Sequence, residues 1–212
     1  MDFKTATAIF LVWLLHLSGI IGVLSGEAGW FIPKTPWNLL VCTGLLIWVF
    51  PLDTLRKVGL FGFIFAAGIG AEWIGVHTGA LFGTYSYGAN LGPKLDGVPY
   101  LIGANWAVLS FCSGAVSNSW ALPRGARVLF GGLLMLGLDY FMEGLAPAFD
   151  FWEFQGGEPP LYNYVCWFGL ALIFQGGFQG LRLEGNRSFS AHLLAAQFTF
   201  FIALSGYSPT IP

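Results

Sequence analysis

Seven stretches of this chain, roughly residues 6–24, 37–52, 58–77, 99–118, 126–148, 161–179 and 189–206, are apolar and almost free of charge. A helix needs about 20 apolar residues to cross a bilayer. In hydrocarbon only helices and closed barrels satisfy every backbone donor and acceptor. Runs of this length therefore read as helices. Charged residues make up only 9% of the chain, against about 25% in a soluble domain, so it could not cover its own surface in water. The expected architecture is all-α: a polytopic membrane protein of about seven transmembrane helices, one integral-membrane domain over residues 1–212. The second run is short and ends at Phe50-Pro51. The first is read as a helix and not a signal peptide, because Asp2 and Lys4 make a weakly charged leader and no soluble domain follows.

Charge between the runs sets the orientation. With seven helices, Lys4, Arg56, Lys57, Arg124, Arg127, Arg182 and Arg187 share one side, and Lys34 and Lys94 lie on the other. Basic residues concentrate on the cytoplasmic side. The N-terminus is thus expected in the cytoplasm, in a multi-pass protein of the cell membrane. The net charge is −2 and no basic cluster exists to bind nucleic acid. Cys42, Cys112 and Cys166 lie singly in apolar runs, as small buried hydrophobes do.

Against that background three carboxylates stand out: Glu72 in the third run, and Asp139 and Glu143 in the fifth. An acid at the centre of a membrane helix costs about 2.5–3.5 kcal/mol even on lenient scales and is a functional candidate by default. Both helices run outward, so all three acids fall in their outer halves, beneath the outer loops 78–98 and 149–160. Apart from Arg127 at the inner end of the fifth run, far from the acids in sequence, no lysine or arginine lies within any run to pair with them. Asp139 and Glu143 are four apart and lie one above the other on a helix face. Two carboxylates that close cannot both ionise cheaply in a low dielectric, so at least one is expected to hold a proton.

Around the acids, Thr78, Tyr85, Tyr87, Asn90 and Asp96 follow Glu72 in the outer loop, and Asn105 and Trp106 lie just inside the fourth helix. Pro99 suits that helix's first turn. The spacing Gly75-x3-Gly79-x3-Gly83 reads as ordinary close helix packing, and Asp150, Trp152, Glu153 and Glu158 as a solvated loop. His16 reads as a hydrogen-bonded packing residue. A weak echo, Pro99 to Trp106 and Pro160 to Trp167, suggests a helix–loop–helix repeat over 58–118 and 126–179.

Absences narrow the chemistry. The three histidines form no cluster suited to a di-iron centre, and neither a phosphate-binding loop nor a dinucleotide fingerprint is present. No metal and no cofactor is expected. The inventory left is acid–base chemistry in an aromatic chamber, and 17% of the chain is aromatic. A buried carboxylic acid can protonate an electron-rich trisubstituted alkene, aromatic faces stabilise the resulting cation, and a held water completes a tertiary alcohol.

At these residues the chain resembles a known family. Glu72-x2-Gly75-x2-Thr78-Gly79-x2-Phe82-Gly83-x-Tyr85-x-Tyr87, followed by Leu91-Gly92 and Gly97-Val98-Pro99, is similar to the first signature of the integral-membrane carotenoid hydratases of bacterioruberin and related pathways. Asp139-x3-Glu143-x2-Ala146 and Pro160-x2-Asn163-x3-Trp167 resemble the second. The likeness covers about residues 68–170; it departs at Glu158-Pro159-Pro160, where the family often has Gly-Val-Pro, and in detail over Phe149–Phe154. It implies cofactor-free addition of water to the terminal double bond of an open (ψ) carotenoid end group. The partners it implies are a carotenoid in the bilayer, water, and contact with other carotenoid-pathway enzymes.

The expected catalytic acids are Glu72, Asp139 and Glu143. Glu143 or Asp139 is read as the proton donor, and Glu72 as the group that orients or deprotonates the water. Thr78, Tyr85, Tyr87, Asp96, Asn105, Trp106, Asn163 and Trp167 are expected to bind substrate. A carotenoid cyclase or isomerase would use the same protonation and lose a proton instead. A non-enzymatic proton-coupled carrier would also bury acids.

Overall fold

The computed structural model describes residues 1–207. Its helices begin where local chemistry starts them. Asp2 caps α1 (Phe3–Leu24) by accepting the Thr5 N–H at 2.8 Å, a contact that satisfies one of the donors every helix start leaves free. A short α2 (Ala28–Phe31) and a 3₁₀ turn (Ile32–Lys34) lead into α3 (Thr35–Val49). Thr54 caps α4 (Leu55–Thr78), which stops at Gly79 with φ +65°, a left-handed conformation that glycine adopts freely. Three short strands follow, β1 (Tyr85–Tyr87), β2 (Lys94–Leu95) and β3 (Val98–Pro99). Then come α5 (Tyr100–Ser117), α6 (Arg124–Glu143), β4 (Trp152–Phe154), α7 (Leu161–Gly180) and α8 (Arg187–Leu204). Pro99, Pro123 and Pro160 sit at the N-caps of α5, α6 and α7.

Seven of these helices, α1 and α3 to α8, coincide with the seven apolar runs. Four of them, α1, α4, α5 and α6, are long and apolar enough to cross a membrane. At 15 residues α3 is too short for that standard, and α7 and α8 carry Asn163, Gln175, Gln179, His192 and Gln197 within their length.

The core is built around α5, which packs against α3, α4, α6, α7 and α8. Within α5, 89% of its apolar window is buried, whereas α1, α4 and α6 bury 39%, 33% and 33%. Those three helices instead turn Phe10, Leu14, Phe63, Leu129 and Leu133 outward, as a lipid-facing ring does. The basic residues at the starts of α1, α4, α6 and α8 gather at one end. There Asn186 donates to Thr5, Asn118 donates to the Leu183 carbonyl and Lys4 lies over the Trp48 ring. The acids lie toward the opposite end, which the loops close.

Those loops are tied to each other. β1 pairs antiparallel with β4, with Tyr85 opposite Phe154, Ser86 opposite Glu153 and Tyr87 opposite Trp152. The ladder continues outside the strands through Gly88 N–H to the Phe151 carbonyl and Gln155 N–H to the Thr84 carbonyl, both at 2.9 Å. The Asp150 carboxylate accepts the Ala89 N–H at 2.8 Å. Residues 149–154 are thus an ordered strand and clamp, not a freely solvated loop.

Candidate active site

Strand alternation explains what β1 and β4 put inward. On β1 Tyr85 and Tyr87 point one way and Ser86 the other; on β4 Trp152 and Phe154 are buried while Glu153 is exposed. The inward set covers the outer ends of α4 and α6, where Glu72, Asp139 and Glu143 are all buried. The three acids line one cavity of about 20 Å³ together with Tyr85, Tyr87, Asn163 and Trp167. A space of that size holds about one water molecule.

The acids differ in what reaches them. Glu72 receives three donated hydrogen bonds: both tyrosine hydroxyls reach Oε2, that of Tyr87 at 2.7 Å, and the Trp106 indole N–H reaches Oε1 at 3.0 Å. Each such bond to a charged acceptor is worth about 1.5–3 kcal/mol. Glu143 receives two, from the Trp152 indole N–H at 2.8 Å and the Asn163 amide at 2.7 Å. Asp139 receives none: both carboxyl oxygens are fully buried without a partner. Burial first, and then the nearby Glu72 carboxylate, push the Tyr85 and Tyr87 phenols well above their ordinary range. Both therefore remain hydrogen-bond donors at any physiological pH.

Close backbone approach makes this arrangement possible. At Gly75 a Cβ would meet the Tyr85 hydroxyl at 2.7 Å, and at Gly68 it would meet the Trp106 ring at 2.8 Å. Both glycines leave room for the side chains that hold Glu72. The Gly75 spacing, expected to serve helix packing, thus admits a returning loop instead. Trp106 in turn stacks on Trp167, with ring centroids 3.6 Å apart and planes at 22°.

Of the residues expected to bind substrate, Tyr85, Tyr87, Asn163 and Trp167 line the acid cavity, and Trp106 stands directly behind it. Asn105 is buried but lines a neighbouring cavity of about 70 Å³. Thr78 is exposed at the end of α4, where its hydroxyl bonds the Ile74 carbonyl and the Ala80 N–H. Asp96 is exposed as well, accepting from the Trp73 indole at 2.7 Å and lying 3.2 Å from His77. Neither reaches the acids. The lining residues that sequence reasoning passed over are Phe82, Ile102, Met142, Trp152 and Phe154. The alternation in Trp152-Glu153-Phe154 was the available signal for two of them.

Among the described residues, no group of three His, Cys, Asp or Glu side chains is placed to hold a metal ion. No curated protein and no solved structure matches the chain. Residues 37–207 match the family described as carotenoid biosynthesis protein.

Proposed function

Since the chain belongs to the carotenoid biosynthesis protein family, we propose that it adds water to the terminal double bond of an open, ψ-type carotenoid end group, as a hydro-lyase that uses only its own carboxyl groups. Asp139 carries this reading: a fully buried carboxyl with no hydrogen-bond partner, lining a cavity for about one water together with Glu72 and Glu143, both of which are held by donors. A carboxyl that receives no donated hydrogen bond suits the neutral acid, and a neutral acid is what alkene protonation requires.

In this mechanism Asp139 gives its proton to the less substituted alkene carbon, and the positive charge develops on the tertiary carbon. The Glu72 carboxyl oxygens, fixed by their three donors, and the ring faces of Trp152 and Trp167 stabilise that charge. Water adds to the cation. Glu143, whose two oxygens each accept only one bond, takes the proton that the added water loses. It returns that proton to Asp139, one helical turn away, so the net change is alkene plus water to tertiary alcohol. Sequence reasoning gave the water to Glu72; the three bonds already crowding that carboxylate favour Glu143.

In the same reading the cation-rich end of the helix set faces the cytoplasm and the acids lie toward the outer leaflet of the cell membrane, on the ground that basic residues concentrate on the cytoplasmic side. The two helix–strand–helix stretches are read as halves of one duplicated unit, supported by the β1–β4 pairing and the Trp106–Trp167 stack.

The test is expression in a host that accumulates an open-ended carotenoid, with isotopically heavy water in the medium. The expected product is heavier by one water and carries the label in a tertiary hydroxyl, and Asp139→Asn abolishes it. An isomeric product with no added water means cyclisation or isomerisation. Wild-type yield from Asp139→Asn removes the mechanism.

A further inference from the structure

The acid cavity has room for about one water, and the substrate proposed for it is a long apolar chain whose end group has to reach it from elsewhere. Two other cavities lead away from it in the same half of the molecule. The nearer, about 70 Å³, shares Ile102, Met142 and Trp152 with the acid cavity. The farther, about 430 Å³, shares His16, Thr35, Asn38 and Phe200 with the middle one. It lies between α1 and α3, and its rim includes Trp37, 69% exposed, and Val41, 42% exposed. Its lining is mostly apolar, with Lys34 at the edge beside Trp30, and tryptophans with a lysine are the side chains that anchor a helix end at a membrane interface.

Resting on the hydration reading, we propose that these three cavities form one access path, in which the polyene body lies between α1 and α3 while its end group reaches Asp139. Continuity is the first ground: each cavity shares wall residues with the next. The second is chemical. In the middle cavity the Gln197 side-chain oxygen is buried without a partner, on a residue only 6% exposed. A buried acceptor of that kind needs a donor. The reactant, a hydrocarbon at its end, has none to give, whereas the product has a new hydroxyl. Gln197 thus receives the tertiary alcohol as it withdraws from the acids. His16, read from sequence as a packing residue, bonds the Val12 carbonyl at 2.7 Å and forms part of the neck between the two larger cavities.

The test separates the path from the chemistry. Purified wild type, Ser18→Trp and Asn38→Phe are given a full-length open-ended carotenoid and a short open-chain terpene with the same end group. The two variants obstruct the outer cavity and the neck. Each is expected to lower the long-to-short rate ratio about tenfold, the effect of forcing a bulky side chain into an occupied apolar space. Equal loss on both substrates, or no loss on either, overturns the path.

The second measurement needs no turnover. In Ser18→Cys, maleimide labelling above that of the parent protein is expected to fall when the long carotenoid is added, and not when saturated phospholipid is added. Equal protection by phospholipid makes the cavity a lipid groove and overturns the path. Protection by the polyene without any hydration by wild type retains the path and removes the hydration reading.

Discussion

Two clusters of buried polar side chains lie between the same helices and teach opposite things. Toward the cation-rich end, Gln175 donates to the Ser110 carbonyl at 2.9 Å and Gln179 donates to the Ser117 hydroxyl at 3.0 Å. These are neutral amides whose N–H groups are spent on a neighbouring helix as packing glue; the Gln175 oxygen has no partner, but unlike Asp139 and Gln197 it lines none of the cavities described above. Toward the other end, aromatic and amide N–H and O–H groups converge on Glu72 and Glu143, while Asp139, on the same cavity, is left bare. Buried polarity alone therefore does not mark a site in this molecule. An unsatisfied acid beside room for a reactant does.

The contrast can be broken most directly at Asp139. Asp139→Asn is expected to lower hydration by at least about 100-fold, the lower bound for losing a general acid. Its thermal midpoint should stay within a few degrees of wild type, because no hydrogen bond is lost. A large drop in melting temperature would make Asp139 a structural residue after all.

Tyr85→Phe comes next. It removes one of the three donors to Glu72 and should destabilise the protein by about 1.5–3 kcal/mol, with a smaller loss of rate than Asp139→Asn. Denaturation in detergent and product yield measured together check the order.

Gln175→Leu should cost only about 1 kcal/mol of stability and leave hydration intact. A loss of product as severe as that of Asp139→Asn would erase the distinction between the clusters.

Asp96→Asn should be the mildest. The Trp73 indole N–H, and then His77, hold the Asp96 carboxyl below its usual range. Its contribution is therefore full above the ordinary carboxylate value and is lost as pH falls through the lowered one. On an exposed pair such a contribution is small. The variant should match wild type in yield at neutral pH, and any melting difference should vanish in acid.

Much of this molecule was legible before any coordinates. Apolar runs placed seven helices because in hydrocarbon a helix is forced wherever charge is absent. The three acids were found because nothing else in those runs explained their cost. The loops were harder. β1 and β4 have three residues each, too few for alternation to stand out, so Trp152 was read as solvated while it donates to Glu143. Thr78 and Asp96 were placed near the acids by their position in the loop. The loop folds back over α4 through Gly75 and leaves both at the surface. Asn105 and Trp106 are neighbours on α5, but adjacent helix positions face about 100° apart, so one reaches Glu72 and the other lines the next cavity.

The donors to each glutamate also say how the protein can be made. Those of Glu72 lie 13, 15 and 34 residues downstream, and those of Glu143 lie 9 and 20 downstream. A ribosome that has completed α5 has already supplied everything Glu72 needs, and one that has completed α7 has done the same for Glu143. Each glutamate can thus be inserted with local partners, before α4 and α5 dock on α6 and α7. Asp139 alone gains nothing from its own stretch of chain and joins the shared cavity at that last step.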